Sequence, residues 1–284
     1  MKVVTTIQAL TAEIQARKRD QQSIGLVPTM GYLHEGHLTL AKTARAENDV
    51  VVMSIFVNPT QFGPNEDFES YPRDLPQDTE LAASAGVDII FAPSVEEMYP
   101  YDGGIRIHAG EQATILCGAS RPGHFDGVLQ VVSKLFHLVQ PTKAYFGQKD
   151  AQQVALIATM VRDFNYPLEM LVVPIVREED GLAKSSRNVY LNEAERLEAP
   201  AIYEALQLAR DSFLTNGDAE NALMKAKAHI AAKTHGKIDY MELLAYPDLT
   251  PVTANTEQVL LATAVYIGST RLIDNCIFNV KEGL

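Results

Sequence analysis

Cysteine is scarce in this chain. Only Cys117 and Cys276 occur among 284 residues, in no metal-ligand spacing and no disulfide framework. They read as reduced core thiols of a cytosolic protein. Met1 to Asp20 lacks the apolar run of a signal peptide, since short apolar pairs alternate there with Glu13, Arg17, Lys18 and Arg19. Long hydrophobic runs are missing too. The longest near-apolar stretch, Val50 to Val57, is far too short to cross a bilayer. The expectation is a cytoplasmic protein with no membrane partner. Positive charge is also in deficit: 24 Lys and Arg stand against 36 Asp and Glu, for a net charge of −12. A general nucleic-acid binder would carry the opposite sign. An anionic ligand must instead be held by a few local cations against an unfavourable overall field. There are no repeats, low-complexity tracts or long linkers. A Gly-x-Ser-x-Gly elbow and an evident Cys–His pair are likewise absent, so no protein nucleophile announces itself.

What is present has the balance of a folded globular protein, 46% apolar and 21% charged. The length suits one large α/β domain and a smaller one, with a core big enough to need no staple. From residue 24 to about 175, short strand-like runs alternate with helical ones. Ile24 to Val27, Val50 to Val57, Asp88 to Phe91, Ala144 to Phe146 and Met170 to Val173 read as strands, several of them closed by proline. Helical stripes fall at Leu38 to Ala44, Leu81 to Ala85, Val128 to Val139 and Val154 to Met160. This alternation implies parallel strands with right-handed crossovers and helices on both faces. Beyond Val176 the texture changes. Helical stretches at Glu193 to Leu214 and Ala219 to Lys233 precede strands at Ile238 to Leu244, Val259 to Ile267 and Arg271 to Ile277. The expected division is residues 1–176, an α/β domain with an open parallel sheet, and residues 177–284, a smaller α+β domain.

Five strings could carry chemistry. Pro28-Thr29-Met30-Gly31-Tyr32-Leu33-His34-Glu35-Gly36-His37 links the first strand to a long helix. Its glycines permit close backbone approach, and the helix start offers free N–H groups to a phosphate. His34 and His37 could add neutral or cationic donors. A zinc-protease helix needs histidines four apart, not three, so that reading is weak. Ser54 to Phe62 contains Phe56, Asn58 and Gln61 at the C-terminal end of a buried strand, where ligands bind in such sheets. Taken alone it is more simply a turn built by Asn58-Pro59. Arg121-Pro122-Gly123-His124-Phe125 reads as a Pro-Gly turn with an exposed Arg. Phe146-Gly147-Gln148-Lys149-Asp150-Ala151-Gln152-Gln153 leads again from strand to helix, with Asp150 able to cap the helix and Lys149 a point charge at its start. Val176 to Asn188 sets Ser185 and Ser186 between Lys184 and Arg187, a possible phosphate clamp that would otherwise be a solvated polar loop.

In combination the strings become recognisable. His34-Glu35-Gly36-His37 resembles the His-x-Gly-His signature of the nucleotidyl-transferring superfamily, which includes class I aminoacyl-tRNA synthetases. The longer string from Pro28 resembles the pantothenate synthetases (pantoate–β-alanine ligases). Ser54 to Phe62 continues the match, with Tyr71-Pro72-Arg73 after it. Arg121 and His124 resemble that family's mobile segment over the active site. The Lys184-Ser185-Ser186-Arg187 loop stands where the superfamily carries Lys-Met-Ser-Lys-Ser, and Arg271-Leu272-Ile273-Asp274-Asn275 resembles the family's tail. Two departures stand out: Gln148 replaces a usual Glu, and Lys184 a usual apolar residue.

The resemblance implies a Rossmann-like fold and an ATP-dependent condensation of pantoate with β-alanine through a pantoyl adenylate. It implies that His34, His37, Lys149, Ser185, Ser186 and Arg187 stabilise the reacting phosphates. ATP would lie along Met30, Gly31, Tyr32, Leu33, Glu35 and Gly36, then Gly147, Gln148, Asp150, Val176 and Lys184. Pantoate would be held by Gln61 and Gln153, with Pro28, Thr29, Phe56, Asn58, Arg121 and His124 around it. Asp78 becomes a possible outer-shell partner of Mg2+, with a solvated helix face as the plain alternative. A homodimer is implied as well. The nearest rivals are another adenylyl or cytidylyl transferase of the superfamily and a non-catalytic nucleotide-binding protein. The acidic charge speaks against a tRNA synthetase fragment.

Overall fold

The structure, a computed structural model, describes residues 1–64, 66–101 and 103–280. The elements of the first part are β1 (Lys2–Val4), α1 (Ile7–Arg19), β2 (Ile24–Thr29), α2 (Glu35–Glu47), β3 (Val50–Ile55), α3 (Leu75–Ser84), β4 (Ile89–Phe91), α4 (Val95–Met98), α5 (Cys117–Ser120), α6 (His124–Val139), β5 (Lys143–Gly147), α7 (Ala151–Asp163) and β6 (Glu169–Val173). The six strands form one parallel sheet in the order β1-β4-β3-β2-β5-β6. β3 is apolar except for Ser54 because it is covered on both faces. Ile24, Leu26, Val50 and Val52 pack with α1, α6 and α7 on one face. Val27, Val51 and Met53 pack with α2 and α3 on the other.

The alternation pattern does not reveal β1 or α1. β1 is a short edge strand beside β4. α1 is held by a Thr6 cap, which accepts from the Ala9 N–H at 3.2 Å, and by buried Leu10 and Ile14 one turn apart. Pro28 does not end β2 as expected. The strand runs on to Thr29, with Pro28 opposite Ser54, and side chains replace part of the ladder. Thr29 N–H donates to Ser54 Oγ at 3.3 Å, and Thr29 Oγ1 to the Ser54 carbonyl at 2.6 Å.

The second part contains α8 (Glu193–Glu198), α9 (Ala201–Asn216), α10 (Ala219–Lys233), β7 (Lys237–Ala245), β8 (Thr250–Pro251), β9 (Gln258–Ile267) and β10 (Thr270–Asn279). The single stretch expected over Glu193 to Leu214 is two helices. Pro200 lies between them, and with no N–H to donate it starts α9 rather than continuing α8. The strands form an antiparallel sheet, β10-β9-β7-β8. α9 and α10 cover one face; Ala222, Ala226 and Ile230 of α10 recur at helical spacing in that core. The two parts meet where Leu244, Leu249, Leu260 and Ala262 pack on Leu116, Ala151 and Ala155.

This topology explains where a ligand can go. β2 connects onward to β3 on one side, while its other neighbour β5 connects to β6 on the opposite side. The loops after β2 and β5 therefore diverge and leave a crevice above the strand ends, the usual site in open α/β sheets. The string ending at His37 follows β2, and Gly147 to Gln153 follows β5.

Candidate active site

Two adjoining cavities fill that crevice, of about 220 Å³ and about 520 Å³. Lys149, Asp150, Gln153, Ser185 and Arg187 line both. Pro28, Thr29, Met30, His34, Gly36, His37, Phe56, Gln61, Gly147, Val176, Lys184 and Ser186 line the smaller, and Arg121 and His124 the larger. The strings read from the sequence thus converge from separate loops. Gly31, Tyr32, Leu33, Glu35, Asn58, Asp78 and Gln148 line neither cavity.

The loop after β2 is fixed from beneath. Gly31 has φ +85°, and a Cβ there would come within 2.8 Å of Asp78 Oδ2. Asp78 is buried, and its two oxygens accept from the Tyr32 and Leu33 N–H groups at 2.9 and 2.7 Å. Burial raises the Asp78 pKa, against the lowering by these two bonds. Asp78 therefore anchors the loop rather than lying on a solvated helix face.

His34 caps α2: its Nδ1 accepts from the Gly36 N–H at 3.1 Å, and His37 Nδ1 accepts from the His34 N–H at 3.3 Å. Each ring has one nitrogen committed as an acceptor, so a neutral ring carries its proton on Nε2. Both rings are neutral near pH 7. Burial, then the Lys149 and Lys184 charges, lowers His34 to about 4. Burial, then His34 and Lys149, holds His37 well below the ordinary value. The choice left open by the sequence, neutral or cationic, resolves to two neutral Nε2–H donors at a helix start, with ring centroids 4.1 Å apart.

The turn after β3 depends on an unusually close approach. A Cβ on Gly127 would lie 2.2 Å from the Thr60 carbonyl oxygen, so only glycine lets α6 rest on the Pro59–Gln61 turn. Asn58 sits inside that contact, 1% exposed. Its Nδ2 donates to the Gly127 carbonyl at 3.0 Å and to Gln61 Oε1 at 3.1 Å, and its Oδ1 accepts from Tyr99 at 3.0 Å. With its amide committed, Asn58 orients Gln61. The Gln61 Nε2 then faces Met30 Sδ at 3.1 Å, a weak acceptor that a substrate oxygen can displace. Val128, Val131, Val132 and Leu135 of α6 supply an apolar wall to the same cavity, with Phe56.

The cations are mostly paired. Arg121 donates through Nε and a terminal nitrogen to the Glu66 carboxylate at 2.8 and 2.5 Å. Its third nitrogen meets His124 Nε2 at 3.0 Å, while His124 Nδ1 donates to the Gln61 carbonyl at 2.7 Å. Burial, then Arg121, lowers His124 to about 4, so it too is neutral. Arg187 meets Asp67 at 3.2 and 3.3 Å. Lys184 Nζ lies 2.8 Å from Glu35 and 3.2 Å from Glu178. The carboxylates of Glu66 and Asp67 thus occupy N–H edges of the two guanidinium groups.

Two expectations change. Asp150 stands at the cap position of α7 but makes no capping hydrogen bond, because the short 3-10 turn Gln148–Asp150 runs directly into the helix. Gln148 turns towards the second sheet, where its Nε2 donates to Asn275 Oδ1 at 3.3 Å. Sequence reasoning also missed partners. Tyr71 lies 3.4 Å from Ser186 Oγ and lines the smaller cavity. Asp67 and Glu66 lie in an acidic stretch that resembles any solvated loop. Among the described residues, no group of three or more His, Cys, Asp or Glu is arranged to hold a metal ion. No helix there is long and apolar enough to cross a membrane.

Comparison with known proteins follows the same lines. The family model described as pantoate-β-alanine ligase matches residues 2–277. Pantothenate synthetase of Lysinibacillus sphaericus is 83% identical over 284 residues, all of both chains. That of Bacillus subtilis is 53% identical over 282 residues, covering 99% of each. The crystal structure of pantothenate synthetase from Thermus thermophilus superposes with a TM-score of 0.92 at 45% identity, covering 99% of both chains. The Francisella tularensis pantoate-β-alanine ligase, complexed with β-γ ATP and β-alanine, gives 0.80 at 40% identity over 99% of this chain and 98% of that one.

Proposed function

The chain belongs to the pantoate–β-alanine ligase family, and from that premise we propose how its residues divide the work. The enzyme joins pantoate to β-alanine with ATP as a substrate. A carboxylate does not acylate an amine in water at a useful rate, because oxide is too poor a leaving group. Adenylation supplies a better one. A pantoate carboxylate oxygen attacks the α-phosphorus of ATP, the bond from that phosphorus to the bridging oxygen breaks, and pyrophosphate departs with the electron pair. The β-alanine amine then attacks the acyl carbon; AMP leaves, a proton is lost from nitrogen, and the amide remains.

Adenylation gathers negative charge on the phosphates, and the site is arranged for that. The observation that carries the reading is the pair of neutral, backbone-oriented His34 and His37 Nε2–H donors at the α2 start, facing Lys149 and the Ser185-Ser186-Arg187 loop across one cavity. Preorganised donors of this kind stabilise developing charge without reorganising. Gln61 and Gln153 offer amides to the hydroxyls and carboxylate of pantoate. The α6 valines and Phe56 suit its dimethyl carbon. Arg121 and Arg187 exchange their carboxylate partners for substrate oxygens.

Magnesium enters as part of the ATP substrate. Asp78 accepts backbone N–H bonds at both oxygens and lines neither cavity, so it supports the loop beneath the nucleotide and would serve a cation as an outer-shell partner, through water. The family likeness supports a cytoplasmic homodimer, for which light scattering of the purified protein is the check. The test of the chemistry is isotope exchange. With ATP, magnesium and pantoate present and β-alanine absent, labelled pyrophosphate should enter ATP. Exchange that strictly requires β-alanine would overturn the two-step order.

A further inference from the structure

The tail string Arg271 to Asn275 takes no part in the steps above, yet two of its side chains are buried polar groups. Asp274 is 5% and Asn275 2% exposed, on a strand whose neighbours include buried Leu272. Asn275 Nδ2 donates to the carbonyls of Gln148 at 3.0 Å and Lys149 at 2.9 Å, and its Oδ1 accepts from Gln148 Nε2. All three bonds leave the antiparallel sheet and end on the turn between β5 and α7. The adjacent Asp274 carboxylate grips Arg177 at 2.6 and 2.9 Å. Arg177 in turn donates to the Gly181 carbonyl at 2.9 Å, and its guanidinium lies 3.8 Å from the Tyr203 ring centroid. Arg177 bridges to Ala183 across a small hairpin, and the Lys184 N–H donates to the Val176 carbonyl at 2.9 Å. That hairpin delivers Ser185, Ser186 and Arg187 to the cavity. One dipeptide of β10 therefore holds both loops that bring cations to the phosphates.

Burying an amide and an ion pair at a junction costs desolvation that apolar residues would avoid, so their presence speaks for geometry more than for stability. We propose that Asn275 is a positioning residue for adenylation, setting the Lys149 turn against the His34–His37 helix start, with Asp274 and Arg177 doing the same for the serine loop. This rests on the reading that Lys149 meets the ATP phosphates. Loss of the Asn275 amide would leave two turn carbonyls without partners, and the turn would relax. A displacement of about 1 Å in a reacting group lowers rate by up to about 100-fold.

The experiment is a double-mutant cycle of Asn275→Ala and Lys149→Ala, read by ATP–pyrophosphate exchange with ATP and pantoate varied separately. Melting curves establish that each variant folds. Asn275→Ala is expected to lower the exchange rate by about 10- to 100-fold with the pantoate KM unchanged. It should add little further loss once Lys149 is already alanine, because residues acting through one another are not additive. Should Asn275→Ala fail to fold, Asn275→Ser keeps one donor and should show a smaller loss, masked in the same way. Unchanged exchange in a folded Asn275 variant, or losses that simply add, overturns the inference alone. Normal exchange in Lys149→Ala overturns the placement of Lys149, and this inference with it.

Discussion

The two loops proposed to meet the phosphates are built in opposite ways. The start of α2 is almost self-contained. Its histidines hydrogen-bond to backbone within three residues, and one buried carboxylate, Asp78, fastens the loop from below. The Ser185–Arg187 loop has local bonds too, the Ser185 cap on Arg187 N–H and the Asn188 N–H to the Ser185 carbonyl at 3.1 Å, but its charged side chains depend on distant partners. It is held by Asp67, 120 residues earlier, and by the Asp274–Arg177 pair, which spans 97. The first uses neutral donors and the second uses charge. A rigid, neutral helix start gives a fixed reference for the phosphates. An ion-paired loop can exchange one anion for another, so it responds to the ligand. Arg187 meets the Asp67 carboxylate, and the proposed chemistry has it meet phosphate.

The largest expected effect lies on the rigid side. His37→Ala should keep the fold and lose roughly 10²- to 10⁴-fold in turnover, the usual range for a positioned donor or acid. Near-normal turnover in a folded variant would move the catalytic weight to the charged loop and reverse the comparison. On the charged side, Arg187→Lys should lower catalytic efficiency by more than about tenfold although charge is retained, because a planar fork can grip two oxygens and an ammonium cannot. Lys184→Met should cost less than about tenfold, or ~1.4 kcal/mol of transition-state stabilisation. Lys184 is occupied by Glu35 and Glu178, and its backbone stays in place. Steady-state kinetics with ATP varied ranks the two variants, and the opposite order would make Lys184 the phosphate ligand.

The smallest effect concerns pH and sharpens the neutral half of the contrast. His34 and His124 are lowered to about 4 in the fold, from an ordinary value of 6.5. Between those values the unfolded chain binds more protons than the folded one. Stability is therefore fully present above about 6.5 and lost progressively as pH falls towards 4. The urea midpoint should drop between pH 7 and pH 5, and His124→Gln should flatten that drop. An unchanged pH slope in the variant would mean that His124 does not stay neutral in the fold.

The difference between the loops also explains which of them the sequence reveals. Pro28 to His37 is legible because its chemistry is local: a strand end, glycines, a helix start and two histidines, all within ten residues. The identity of Arg187 is readable as well, from a motif, but its partner is not. Asp67 looks like any acid in a polar loop until the chain brings it to the guanidinium. Asn58 is only partly readable for a related reason: the turn at Asn58-Pro59 is there as read, with the Asn58 side chain accepting from the Thr60 N–H at 3.3 Å, but its burial and distant partners are not legible. An exposed amide and a buried one have the same letter, and only the Gly127 contact shows that Asn58 orients Gln61 rather than reaching into the cavity. The edge strand β1 has three residues and no periodicity to detect, so its pairing with β4 depends on the sheet already being there.

Strand–helix alternation, the apolar runs and the ordered motifs thus determined by themselves the parallel sheet, the smaller mixed unit and the family chemistry. These signals live within a few turns of chain, where side-chain period and backbone sterics act directly. Tertiary structure alone decided the charge state of the histidines, the carboxylate partners of Arg121 and Arg187, and the reach of β10 to the Lys149 turn and the hairpin before Ser185. Each of these depends on burial and on contacts between residues distant in sequence, and neither quantity exists until the chain has folded.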